Sequence, residues 1–189
     1  IVVMEGLYGD RDHEHKGDYL LDLAAIVDKT LGRGGNVVIP SFAVGRTQEL
    51  LYFFREMKEQ GLIKSKPDFK VFVDSPLAGA ATKIYEGDLK GYADELTQKV
   101  IKKGNSPTYF DGLTITESVE ESKSINSDRE PKIIISSSGM CEAGRVRHHL
   151  KHNLWCTECS IIFVGFQAVG TLGRIILDGA KKIKLFGEE

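Results

Sequence analysis

Five short apolar runs, set between segments of helical periodicity, constrain this chain more than any other feature of its sequence. Asn36-Val37-Val38-Ile39 is followed by Arg46 to Lys58, in which Leu50, Leu51, Phe53, Phe54 and Met57 recur at helical spacing. Phe69 to Val73 precedes a small-residue helix beginning near Leu77, and Ile133 to Ile135 precedes Glu142 to His152. Ile161 to Val164 precedes Thr171 to Leu177, and Ile183 to Phe186 closes the series. A strand that is apolar at every residue, rather than at every second one, must be covered on both faces, and helices between strands supply that cover. The expected fold is therefore α/β, a doubly wound, mostly parallel sheet with helices on both faces. Ile1 to Met4 is a further apolar run, expected to open the chain as a strand ending at Glu5. Leu20 to Leu31 reads as an amphipathic helix stopped by Gly32, and Leu89 to Lys103 as another. Between Gly104 and Pro131 the sequence turns polar and acidic, which predicts a short strand around Leu113 to Ile115 and then a flexible surface segment.

With 189 residues, no tandem repeat and no linker, residues 1–189 are expected to form one domain large enough for a substantial core. A composition 41% hydrophobic and 28% charged excludes a disordered, collagen-like or disulfide-framework chain. The net charge of −2 excludes a globally basic surface, so a nucleic-acid partner would have to be held by a local patch. Three Cys without a signal peptide point to a reducing, cytoplasmic compartment, and no apolar run approaches the roughly 18 residues that cross a bilayer. The chain begins on Ile1 rather than Met and stops at Glu189 without a tapering tail, as expected of a piece excised from a longer polypeptide.

The segments following three of the strands carry the chemistry. After Ile39 comes Pro40-Ser41-Phe42-Ala43-Val44-Gly45-Arg46; after Ile135 comes Ser136-Ser137-Ser138-Gly139-Met140-Cys141-Glu142-Ala143-Gly144-Arg145; after Val164 comes Gly165-Phe166-Gln167-Ala168-Val169-Gly170-Thr171-Leu172-Gly173-Arg174. Each strand leads through small and hydroxylated residues to a Gly-Arg pair opening a helix. In a parallel sheet all three loops leave at the carboxyl edge, where doubly wound proteins bind ligands. Small residues admit backbone N–H groups to a phosphate, helix N-termini add favourable partial charge, and arginine offers a planar fork to phosphate oxygens. Such loops suit a polyanion; for any one of them, tight turns and a solvated arginine explain the same residues. No P-loop is present, and no Gly-x-Gly-x-x-Gly follows a strand, so ATP or NAD binding has no support.

Three other groups have suggestive residue types. His13-Glu14-His15 between Asp12 and Asp18 could hold a metal, but nothing elsewhere completes the site, and a solvated loop is the plainer reading. Cys156-x-x-Cys159, with Cys141 and His152 upstream, has zinc or redox spacing but leads into a strand instead of opening a helix, which leaves incidental thiols as the plainer reading. His148-His149 follows Arg145 and Arg147 and is placed either to reach phosphates or to lie on a helix surface. Glu5, at the end of the opening apolar run, is positioned to orient a histidine or arginine at the sheet edge.

These residues resemble the β-CASP domain of metallo-β-lactamase-fold nucleic-acid hydrolases, a family of bacterial and archaeal ribonucleases and pre-mRNA 3′-end cleavage factors. Glu5-Gly6-Leu7-Tyr8-Gly9-Asp10-Arg11-Asp12-His13 is similar to the family's Glu-Ser-Thr-Tyr-Gly…Arg…His opening, and Pro40 to Leu51 to its Pro-x-Phe-Ala-x-Gly-Arg-x-Gln-Glu-Leu block. Ser137-Ser138-Gly139-Met140 with Gly144, and Gly165-Phe166-Gln167 with Gly170-Thr171-Leu172, resemble two further blocks in the same order. The resemblance implies a domain inserted in a metallo-β-lactamase fold, roofing a two-zinc site and helping to clamp RNA or DNA. It implies that Glu5 is an acid orienting a proton-transfer histidine outside the chain, and that the zinc ligands lie in the companion domain, so that no cofactor is expected within this chain and two zinc ions are expected in the complete enzyme. The His-x-His-x-Asp-His metal signature is absent here, and Gly6-Leu7 replaces the family's Ser-Thr. The expected grip on nucleic acid falls on Ser41, Arg46, Ser137, Ser138, Gly139, Arg145, Gln167, Thr171 and Arg174. The alternative is a non-enzymatic doubly wound module that binds protein or a small phosphorylated ligand.

Overall fold

Each β-branched run becomes a strand where a neighbouring strand takes its hydrogen bonds, and the resulting sheet is wholly parallel. The computed structural model describes residues 1–6, 8–9, 17–87, 89 and 91–187. In chain order the elements are α1 (Tyr19–Gly32), β1 (Val37–Pro40), α2 (Arg46–Gln60), β2 (Val71–Asp74), α3 (Pro76–Tyr85), α4 (Glu95–Lys102), β3 (Leu113–Ile115), α5 (Val119–Ser127), β4 (Ile133–Ser136), α6 (Val146–Asn153), β5 (Ser160–Ile161) and α7 (Leu172–Leu177). The strands lie in the order β3-β2-β4-β1-β5. The register sets Val37 beside Ile133 and Ser160, and Val71 beside Ile133 and Leu113.

Alternate residues of the strands enter two cores, which is why the strands are apolar throughout. Val37, Ile39, Val73 and Ile135 point to the face covered by Leu23 and Val27 of α1 and Leu51, Phe54 and Met57 of α2. Val38 and Ile134 point to the other face, against Ile125 of α5 and Val146 and Leu150 of α6. The connection after β1 therefore leaves on one face and that after β4 on the other, although the two strands are neighbours. This divergence is a topological switch point, and it opens a crevice at their carboxyl ends. No helix among the described residues is long and apolar enough to cross a membrane.

Several elements depart from expectation for identifiable reasons. Ile1 to Met4 form no strand and are exposed, because an extended run becomes a strand only when a neighbour accepts its hydrogen bonds and none of the five strands does so. Ile183 to Phe186 likewise reduces to a single bridge residue, Leu185, which is buried in the second core. The strand expected over Ile161 to Val164 is confined to Ser160–Ile161. The helix expected from Leu89 starts only at Glu95, where the Asp94 carboxylate accepts from the Thr97 N–H at 2.7 Å, after a turn at Gly91 with φ +86°. α6 starts at Val146 instead of Glu142, because Cys141 and Gly144 both take positive φ. The segment expected to be flexible contains α5, closed at its start by a capping box: Ser118 Oγ accepts from the Glu121 N–H at 3.1 Å and Glu121 Oε2 from the Ser118 N–H at 2.9 Å.

Candidate functional site

The loops after β4, β1 and β5 leave adjacent strands at one edge and touch one another. Gln167 Nε2 donates to Gly139 O at 3.0 Å, and the Gly173 N–H donates to Met140 O at 3.0 Å. A Cβ at Gly139 would stand 3.1 Å from the Phe42 ring, so the first two loops approach as closely as a glycine permits. Gly45, with φ +82°, turns the β1 loop into α2, and its N–H is taken by Gln48 Oε1 at 2.7 Å.

Within this edge the expected residues divide by burial. Ser41, Gly139 and Gln167 are buried and face other loop atoms: Ser41 Oγ accepts from the Thr47 hydroxyl at 3.2 Å, and Gln167 Nε2 also donates to Gly165 O at 3.1 Å. Ser137, Ser138 and Thr171 are half-buried at the surface of the edge; the Ser137 hydroxyl meets that of Ser75 at 3.1 Å, and Thr171 Oγ1 caps α7 by accepting from the Arg174 N–H. The N-terminus of α7 already holds an anion of the protein's own, since the Leu172 N–H donates to Glu142 Oε1 at 2.6 Å.

Each of the three arginines has a carboxylate partner, and exposure separates them. Arg46 pairs with Glu49, and Arg174 grips Asp178 with Nε at 2.9 Å and Nη2 at 2.8 Å; all four side chains are 41–54% exposed. Such exposed pairs contribute about 0–1 kcal/mol, so a phosphate can replace the carboxylate at little cost. Arg145 is different. Its Nη1 donates at 2.8 Å to Asp74, which is fully buried, and its Nη2 donates to Glu117 O at 3.0 Å.

Asp74 is the residue that the sequence reading missed. Its carboxylate accepts from the Thr116 hydroxyl at 2.6 Å, the Ser122 hydroxyl at 2.6 Å, Arg145, and His149 Nε2 at 2.6 Å. Burial alone would raise this carboxyl, but the bonds from His149, Ser122, Thr116 and Arg145 outweigh it and hold the group well below the usual carboxylate range. His149 is fully buried, with Nδ1 2.9 Å from the Asn126 amide oxygen, so it cannot reach a phosphate as one reading of His148-His149 allowed. The signal was present: Asp74 ends a buried apolar strand at the carboxyl edge of the sheet, the same feature that singled out Glu5. Glu5 itself lies in exposed, non-strand chain.

Among the described residues no group of three or more His, Cys, Asp or Glu converges as a metal site. They do not fit a two-zinc centre. His13, Glu14 and His15 lie outside the described residues. Cys156 and Cys159 are neighbours, with sulfurs 2.6 Å apart, whereas Cys141 is buried in the second core.

The comparisons with known proteins agree with this architecture. The family model described as the Beta-Casp domain matches residues 47–176, a stretch that contains the loops after β4 and β5, α2 apart from Arg46, and the Asp74 network. The chain is 35% identical over its whole length to Ribonuclease TTHA0252 of Thermus thermophilus, of which it spans 42%. It is 32% identical over 186 residues to transcription termination factor FttA of Methanocaldococcus jannaschii, a match covering 97% of this chain and 28% of that protein. It is also 32% identical over 190 residues to FttA of Pyrococcus abyssi, a match covering 100% of this chain and 28% of that protein. The chain thus spans less than half the length of these relatives. A parallel sheet of the expected kind, ordered motif blocks at its carboxyl edge and a family match over most of its residues place the chain in the Beta-Casp domain family.

Proposed function

We propose that this domain grips the substrate for an RNA-cleaving hydrolase, with Arg46 and Arg174 contacting phosphates across the switch-point crevice. The observation that carries this reading is the exposure of both arginine side chains on loops that leave the same sheet edge as half-buried Ser137, Ser138 and Thr171. Ser41, Gly139, Gln167 and Arg145 hold the loops in shape, and Arg145 does so through Asp74. The relatives' names, a ribonuclease and a transcription termination factor, support action on RNA. Phe42, Val44 and Val169 are exposed at the same edge, as expected of a surface covered by a companion metallo-β-lactamase domain of the same polypeptide. Cleavage and its two zinc ions belong to that companion, in the cytoplasm, and Glu5 reaches toward it as an acid that orients a histidine.

The test is RNA binding across a series of salt concentrations. The chain binds RNA without cleaving it, and Arg46→Ala weakens binding equally for all base sequences. The log–log salt slope falls by about 0.7 for each phosphate that the guanidinium had neutralised. An unchanged slope, or turnover by this chain that a chelator abolishes, would overturn the assignment.

A further inference from the structure

Two of the chain's three free cysteines meet in the turn that carries α6 into β5. The Cys159 N–H donates to Cys156 O at 3.2 Å, which folds Cys156-Thr157-Glu158-Cys159 back on itself. Cys159 Sγ donates to Cys156 Sγ at 2.6 Å, and both side chains are half-buried. The turn is also held from outside. Arg33 donates from Nε to Glu158 O at 2.5 Å and from Nη2 to Cys159 O at 3.1 Å, while the Asn36 N–H donates to Cys159 Sγ at 3.3 Å. The sulfurs are thus placed together by the same contacts that aim β5 at β1.

Two thiols this close can share a metal ion or a covalent bond. Structural zinc takes four ligands, and among the described residues no third His, Cys, Asp or Glu joins the pair. A disulfide needs only the two. Closing one to its usual length of about 2.05 Å draws the sulfurs together by about 0.5 Å. Burial pushes the Cys159 thiol up to about 11, so it keeps its proton and donates toward the Cys156 sulfur. Cys156 is therefore the sulfur that meets an oxidant first, with Cys159 in position to resolve it.

We propose that Cys156 and Cys159 form a reversible dithiol–disulfide site that responds to peroxide and sets how firmly β5 is held to β1. The Cys156 sulfur attacks one oxygen of hydrogen peroxide and the O–O bond breaks. The departing hydroxide takes the Cys156 proton and leaves as water, and Cys156 becomes a sulfenic acid. The Cys159 sulfur then attacks that of Cys156, the S–O bond breaks, and the second hydroxide leaves as water with the Cys159 proton. Two thiols are oxidised to one disulfide while one peroxide is reduced to two waters. In a reducing compartment a cellular thiol reverses the step by exchange. The closed bond limits the conformations open to the turn, so detachment of β5 becomes less favourable. β5 leads to the loop that bears Arg174, so the site acts on the crevice edge whatever that edge binds.

The test treats the native chain with hydrogen peroxide and then unfolds it in iodoacetamide. The parent should lose two hydrogen atoms by mass and take up one alkyl group, on Cys141, instead of three. Dithiothreitol should restore all three. Amide exchange at Ile162, whose N–H donates to Val38 O, should be about tenfold slower in the oxidised chain than in the reduced one, with α2 unchanged. Cys159→Ser, whose hydroxyl still offers the Asn36 N–H an acceptor, should stop at a sulfenic acid on Cys156 that dimedone traps. Three alkyl groups after peroxide, separate oxidation of the two sulfurs to sulfinic acids, or a bond joining two chains would overturn the proposal. Zinc that shields both thiols from alkylation until a chelator is added would assign the pair to a metal and overturn it too. A disulfide that leaves exchange at Ile162 unchanged would overturn its hold on β5.

Discussion

Arg46, Arg145 and Arg174 occupy equivalent places in three similar loops, yet their removal should have different consequences. Arg145→Ala leaves the Asp74 carboxylate buried without its guanidinium, so the expected outcome is a lower melting temperature and, in protein that remains folded, an RNA salt slope unchanged from the parent. Asp74→Ala goes further, because it strands Arg145 together with the Thr116, Ser122 and His149 donors. Breaking a buried pair in this way costs about 3–5 kcal/mol, measurable by urea denaturation. The pH dependence has a definite sign. The Asp74 carboxyl lies lower in the folded chain than its unfolded value of about 3.9, so its contribution to stability is fully present above about pH 5. That contribution is lost progressively as pH falls through the unfolded value toward the depressed folded one. Urea midpoints of the parent should drop over this window, and the difference between parent and Asp74→Asn should shrink as the pH is lowered. A constant difference from pH 7 to pH 3 would mean that Asp74 is not the linked group.

At the scale of elements, β5 is the weakest part of the edge, with only two residues paired to β1. Its position depends on Gly35, where an added Cβ would fall on the Glu158 carbonyl that leads into β5. Gly35→Ala should therefore destabilise the chain by about 1–3 kcal/mol. It should also accelerate amide exchange at Ile162, whose N–H donates to Val38 O at 2.9 Å, more than in α2. Equal acceleration in α2 would show that β5 does not open separately. α5 was legible in the sequence, since Ser118-Val119-Glu120-Glu121 is a capping box; acidic composition hid it. The opening run of Ile1 to Met4 carried the opposite signal, strong β propensity with no partner, and propensity alone does not make a strand.

The two cores on the two sheet faces make the whole molecule one barrier to reagents that attack buried groups. Cys141 lies in the second core, and burial pushes its thiol up to about 12, so almost no thiolate forms at neutral pH. Its alkylation should be negligible in native protein and should rise with denaturant in step with global unfolding. Rapid native-state labelling at Cys141 would show that the α6 face opens independently.

The alternation of apolar runs and helical periods by itself determined the parallel sheet, its two-sided cover and the edge from which the Gly-Arg loops leave. These follow from side-chain burial over a few consecutive residues, which a sequence displays directly. Only the tertiary structure decided the order β3-β2-β4-β1-β5, and with it which loops are neighbours and which arginine turns inward. Arg145 and His149 meet Asp74 across 71 and 75 positions of sequence, and no local pattern encodes such distances. Inserting β4 between β2 and β1 brought them together, and burial then enclosed the Arg145–Asp74 pair while leaving Arg46 and Arg174 exposed.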